Sequence, residues 1–162
     1  MQNPPGSYPP NQGYQPGGYN TPGGYPPAPT GGKTKTLNLD YNVAACLSYI
    51  PICLINPIVP IIWLVTEPKT NKFVRFHALQ ALFLLGAYIV SMIGVVVIAA
   101  IIGIILGMAS DSLAALAGLI GVIGYFVVIL SFLGLSIMGA VKGYGGQMWK
   151  APIIGNLAEK NA

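Results

Sequence analysis

Two apolar stretches, residues 78–108 and 113–140, contain no Asp, Glu, Lys, Arg or His, and only "ASDS" separates them. Each exceeds the ~20 residues with which a helix crosses the hydrocarbon core of a bilayer. A chain of 162 residues has too small a core to hide so much apolar surface, and 54% hydrophobic against 7% charged residues says the same of the whole sequence. Both stretches therefore predict spanning helices. Their short connection makes them antiparallel, with Ser110 or Asp111 placed to cap the start of the second.

A third apolar run, residues 41–66, reads "YNVAACLSYIPICLINPIVPIIWLVT". Pro51, Pro57 and Pro60 each remove a backbone donor and disfavour helix in the residue before. Two arrangements follow. Either a strained helix spans once, or two short helices, from Asn42 to about Ile50 and from about Val59 to Thr66, fold back at "PICLINP". Each half would then cover about half of the hydrocarbon core, and its turn would need shielding by the other helices.

Charge separates the two. The chain carries eight Lys or Arg, and short cytoplasmic loops collect such residues. A single span leaves Lys33 and Lys35 opposite Lys69, Lys72, Arg75, Lys142, Lys150 and Lys160. A folded-back run puts all eight cations on one side and Asp111 on the other, which satisfies the rule completely. The reading is an all-α integral membrane protein with a short Pro-broken N-terminal helical hairpin, two long antiparallel transmembrane helices and both termini cytoplasmic. The membrane domain covers residues 38–160.

Residues 1–37 obey different rules. Tyr8, Tyr14, Tyr19 and Tyr25 recur among Pro and Gly, and such a tract buries too little to offset its ordering entropy, so a disordered cytoplasmic tail is expected. It has no basic segment followed by an apolar one, unlike a signal peptide. Spaced tyrosines and "PPAP" at Pro26 to Pro29 suit weak multivalent contacts; a plain tether is the simpler reading.

The polar residues crowd at the edge of the first long stretch, in "NKFVRFHALQ". Lys72, Arg75 and His77 suit headgroup depth, where anionic phosphates attract cations. Phe73, Phe76, His77 and Gln80 share one helical face, so His77 and Gln80 can form a small polar cluster against the first hairpin. Catalysis would require a nucleophile or second base that the segment lacks. Cys46 and Cys53 have no neighbouring ligands and read as inert thiols, so no metal, cofactor or catalytic residue is expected. The scattered cations do not form the block that nucleic-acid binders use. Near the C-terminus, Tyr144 and Trp149 beside Lys142 and Lys150 have the composition of an interfacial belt, and Pro152 permits a short surface segment after the glycines at 143, 145 and 146.

Small residues recur in the long stretches, among them Gly103, Gly107, Ala117, Gly121, Gly124, Gly139 and Gly143. They allow close helix approach within one chain or between copies. No Asp, Glu, Lys, Arg or His lies in the membrane interior, which weighs against proton relays and ion-coupled transport.

The order of a Pro-interrupted hairpin, "KFVRFHALQALFL", a long helix, a short outer turn, another helix and "WKAPIIGNLAE" resembles a family of small bacterial membrane proteins of unknown function. That family is similar to the small membrane component of the chloroplast inner-envelope protein translocon. The resemblance covers about residues 38–159 and singles out Phe76, His77, Gln80, Pro152 and Gly155, with no assigned roles. It implies a bacterial plasma membrane protein that belongs to an assembly. The expected partners are anionic lipid headgroups and other membrane proteins or a second copy. A non-enzymatic interaction module is the first reading and a small conducting subunit the alternative.

Overall fold

A computed structural model describes residues 31–50 and 55–162. The tail tyrosines, "PPAP" and Cys53 lie outside the described residues, as does most of the "PICLINP" turn. The described residues form five helices: α1 (Tyr41–Leu47), α2 (Ile55–Thr66), α3 (Lys72–Gly107), α4 (Asp111–Tyr144) and α5 (Ile154–Asn161).

The first apolar run folds back. The Lys35 amide, ahead of α1, donates to Glu67 Oε1 just past α2 at 2.8 Å, so both ends of the run meet. Helix α1 stops at Leu47, before the expected Ile50, and one tight turn carries the chain on through Tyr49 N to Cys46 O and Ile50 N to Leu47 O. Helix α2 begins at Ile55, earlier than expected, because Pro57 falls in its first turn, where a missing N–H removes nothing. Pro60 alone interrupts its hydrogen-bond ladder.

Residues 31–40, ahead of α1, are already packed against the base. Thr34 is buried; its amide donates to Leu39 O and its hydroxyl accepts from Leu39 N. This small turn is tied to α2 through Glu67, whose other oxygen accepts from Asn71 Nδ2 at 2.6 Å. Asn71 Oδ1 in turn caps α3.

Helices α3 and α4 are 36 and 34 residues long, and both are apolar enough to cross a membrane. They run antiparallel, with Ser110 Oγ accepting from Leu113 N at the start of α4 as the sequence suggested. At ~1.5 Å per residue each measures about 50 Å, well beyond the ~30 Å hydrocarbon core.

Burial divides this length into two regions. On α3, every buried residue lies between Phe73 and Leu84; on α4, Ser136, Gly139 and Gly143 are buried near the same end. There α1, α2, α5 and the segment between α4 and α5 surround the long helices and form a base. Beyond it, α3 and α4 continue alone as a stalk over roughly residues 86–107 and 111–135, exposing Val90, Ile104, Leu119, Ile123 and Phe126. Within the stalk Ala117 is the one buried residue on α4 among the described residues. A Cβ on Gly121 would stand 2.7 Å from Ala99 Cβ, so the two helices pack through small side chains. All eight cations belong to the base or its edges, and Asp111 stands at the far end.

Helix α4 ends in a reversal. Gln147 N bonds to Lys142 O and Gly146 N to Gly143 O, with Gly146 at φ 71°, the pairing of a Schellman motif. The chain then runs back along α3 as an extended strap, residues 147–151. A γ-turn follows at Ile153 (φ 66°, ψ −53°), closed by Ile154 N to Pro152 O at 2.7 Å, and α5 begins.

Candidate functional site

The base holds one buried polar constellation whose members come from three distant parts of the chain. His77 and Gln80 lie one turn apart on α3, and both are fully buried. Tyr49 arrives from the turn after α1, 2% exposed. The third contributor is the main chain of the strap.

Hydrogen bonding fixes the roles of these groups. His77 Nε2 lies 3.2 Å from Gln147 O, and a carbonyl only accepts, so Nε2 carries the ring proton. Nδ1 then accepts from the Tyr49 hydroxyl at 3.0 Å. The same hydroxyl oxygen accepts from Gln80 Nε2 at 2.8 Å. Gln80 Nε2 also donates to Trp149 O at 3.1 Å, and Gln80 Oε1 accepts from Ala151 N at 3.0 Å. The amide thus treats the strap as a neighbouring β-strand would, pairing with one residue's C=O and the N–H two residues on.

The surroundings are aromatic and tight. Phe73, Phe76 and Tyr49 meet the imidazole edge-on at centroid distances of 4.7, 5.1 and 5.7 Å. Gly139 and Gly143 of α4 leave room for them: a Cβ at 139 would run into the Tyr49 ring, and one at 143 would come 3.1 Å from Ala45 Cβ and 3.4 Å from His77 Cε1.

The residues singled out by sequence divide into two sets. His77 and Gln80 come together as expected, with Phe76 fully buried beside the imidazole. Trp149 belongs to the strap, half-buried against Tyr49, Ala81, Leu84 and Ala151, and lends its carbonyl to the cluster. Pro152 is exposed in the turn before α5. Lys72 is exposed on the first turn of α3. Arg75 has a further task that its charge did not suggest. Its Nη1 donates to Leu64 O at 2.8 Å and to Glu67 O at 3.3 Å, closing the open C-terminal end of α2. Sequence reasoning missed Tyr49, Glu67, Asn71 and the strap's main chain. Tyr49 has one signal, a phenol in the middle of an apolar run.

Every polar group of the cluster is spent on another member or on the strap. It offers no free nucleophile, and among the described residues no three His, Cys, Asp or Glu side chains gather as metal ligands. Cys46 is half-buried and free. The arrangement closes the base and locks the strap onto it.

Comparison with known proteins gives the chain its relatives. The model of a family described as magnetosome magnetite crystal formation proteins matches residues 37–158. The UPF0132 membrane protein MJ1443 of Methanocaldococcus jannaschii is 33% identical over 129 residues, covering 80% of this chain and 94% of that protein. No solved structure matches. Neither relative is described as a translocon component. The match begins just ahead of the first hairpin and ends within α5, so it takes in the base, the stalk and the strap together: the chain is a membrane protein and belongs to the magnetosome magnetite crystal formation family.

Proposed function

We propose that this protein is a non-enzymatic membrane module that organises other components at the bilayer, with both termini in the cytoplasm. The observation that carries this reading is the saturation of the Tyr49–His77–Gln80 cluster by its own strap. A catalytic or ion-relaying group must keep a bond free for its substrate, and here every such bond is structural. The stalk supports the same conclusion, since a conducting path through two helices with no charged side chain would have no charged lining.

In this reading the cations at the base face anionic headgroups, as Lys69 and Lys72 are exposed there. The Tyr/Pro/Gly tail is a recruiting arm for other proteins or for copies of the chain. Direct contact with a mineral surface, which the family description evokes, would call for grouped carboxylates, since hard metal ions take oxygen ligands. The sequence has four acidic residues: Glu67 is buried, Glu159 pairs with Lys150 at 2.7 Å, and Asp40 and Asp111 lie at opposite ends of the molecule. Recruitment fits this chain better than templating.

The test is a paired one. The purified chain in liposomes should pass no ions or small solutes above empty vesicles, and in native membranes its crosslinked partners should vanish when residues 1–30 are removed. Flux that a Gln80 or Tyr49 substitution abolishes would replace this reading with the conducting one.

A further inference from the structure

The outer surface of the base is not that of a domain standing in water. On α2, Ile58, Ile61 and Val65 form a stripe at three- and four-residue spacing and are 52, 48 and 79% exposed. On α4 the lipid-facing ridge of the stalk does not stop where the base begins. Leu130 is followed on the same face by Leu133, Ile137, Val141 and Tyr144, all exposed. Both stripes end at one level, because Arg75 holds Leu64 beside the start of α3 while Gly143 packs against Ala45 and His77. At that level stand Lys69, Lys72, Lys142 and Tyr144, the cation and aromatic residues of a membrane–water boundary. A soluble surface rarely carries so large an apolar face.

Helix length agrees with this placement. With Asp111 in one headgroup layer and Tyr144 in the other, α4 spans about 50 Å, and a bilayer of ~40–45 Å including headgroups accommodates it at a tilt of roughly 30°. A base standing in water would leave both stripes unsolvated by anything apolar.

We propose that the base is sunk into one leaflet, with acyl chains covering the α2 and α4 stripes, and that the protein is therefore a wedge. One leaflet holds two helices. The other holds the same two widened by α1, α2 and the strap, roughly double the cross-section at ~10 Å per helix. Such a shape favours a membrane bent with the wide leaflet on its convex side, as one-leaflet insertions do generally. That this leaflet is the cytoplasmic one rests on the orientation proposed above; the wedge itself does not.

Full-length protein reconstituted into small sonicated and large extruded vesicles of one phosphatidylcholine and phosphatidylglycerol mixture tests the shape. Protein per lipid should be higher in the small vesicles. A single cysteine, Thr70→Cys in a Cys46→Ala, Cys53→Ala background, should react there with an impermeant maleimide, since the base should face outward. The triple variant Ile58→Ser, Ile61→Ser, Val65→Ser changes only exposed side chains and should lose both preferences. Equal density in the two populations, or preferences kept by the triple variant, overturns the wedge, the latter assigning curvature to the tail. A nitroxide at Ile61→Cys tests submersion without disturbing the fold: oxygen access of acyl-chain depth is expected, and access to a water-soluble relaxer overturns it. An inverted orientation in cells with the vesicle preference intact would sink the cytoplasmic assignment and leave the wedge standing.

Discussion

The base and the stalk are built from the same two helices under opposite rules. In the base, α3 buries Phe73, Val74, Phe76, His77, Ala78, Gln80, Ala81 and Leu84, and its polar groups are matched one by one with Tyr49 and the strap. In the stalk the same helix buries nothing among its later residues, and its contacts with α4 run through small side chains such as Ala99 against Gly121. Lipid is as apolar as Ile or Val, so stalk packing gains little from the hydrophobic effect, whereas each hydrogen bond in the base guards against an unsatisfied group. The base should therefore carry the specificity of the fold and the stalk its placement in the bilayer.

Substitutions can break this contrast, and Gln80→Leu should break it most. It strips partners from Trp149 O, Ala151 N and the Tyr49 hydroxyl at once, and should lower detergent stability by about 3 kcal/mol, with early proteolysis in the strap. Unchanged melting with an intact strap would show that the cluster is incidental. His77→Ala removes two bonds rather than three and should cost about 1–2 kcal/mol by the same thermal measurement.

In the stalk, Gly121→Leu forces a side chain where Ala99 stands and should cost about 1 kcal/mol, the low end of overpacking, because lipid can fill whatever opens. Ala99→Gly should recover much of that loss in a double-mutant cycle, and purely additive effects would mean that the helices do not pack as described. Lys69→Gln with Lys72→Gln should leave melting unchanged but scramble orientation, at ~1 kcal/mol of headgroup attraction per cation, read by impermeant labelling of a cysteine at residue 70. Arg75→Gln should instead lower stability, since Arg75 closes α2. Removing residues 1–30 should have the smallest effect, with melting unaltered; removal through Asp40 should not be tolerated, because Thr34 and the Lys35 amide are tied into the base.

Much of this organisation was legible in the residues. Uncharged length announced α3 and α4, the prolines and one-sided cations announced the fold-back, and the spacing of His77 and Gln80 announced a shared polar face. What was not legible depended on contacts between distant segments. Periodicity places His77 and Gln80 on one side of a helix but cannot say that Tyr49 will meet them, nor that their remaining partners are main-chain atoms 69 to 71 residues away. Charge alone marks Arg75 as a headgroup anchor, because charge is local information, whereas the open carbonyls of α2 that it satisfies are tertiary information. The uneven burial of α3 is hidden for the same reason: Ala81 is buried and Ala87 exposed although the side chain is the same, and only the neighbours that the fold supplies distinguish them.

The strap also sets an order of events. When α1, α2 and the start of α3 leave the ribosome, His77 and Gln80 emerge without Gln147, Trp149 or Ala151, which follow up to 71 residues later. Until those residues are made, the nascent chain holds an imidazole and an amide that can reach Tyr49 but whose bonds to the strap are unmet. A later segment of the chain completes an earlier one. A chain cut short before residue 147 would keep its hydrophobic spans, reach the membrane and still advertise two unsatisfied polar side chains, a mark by which membrane proteases could tell unfinished copies from finished ones.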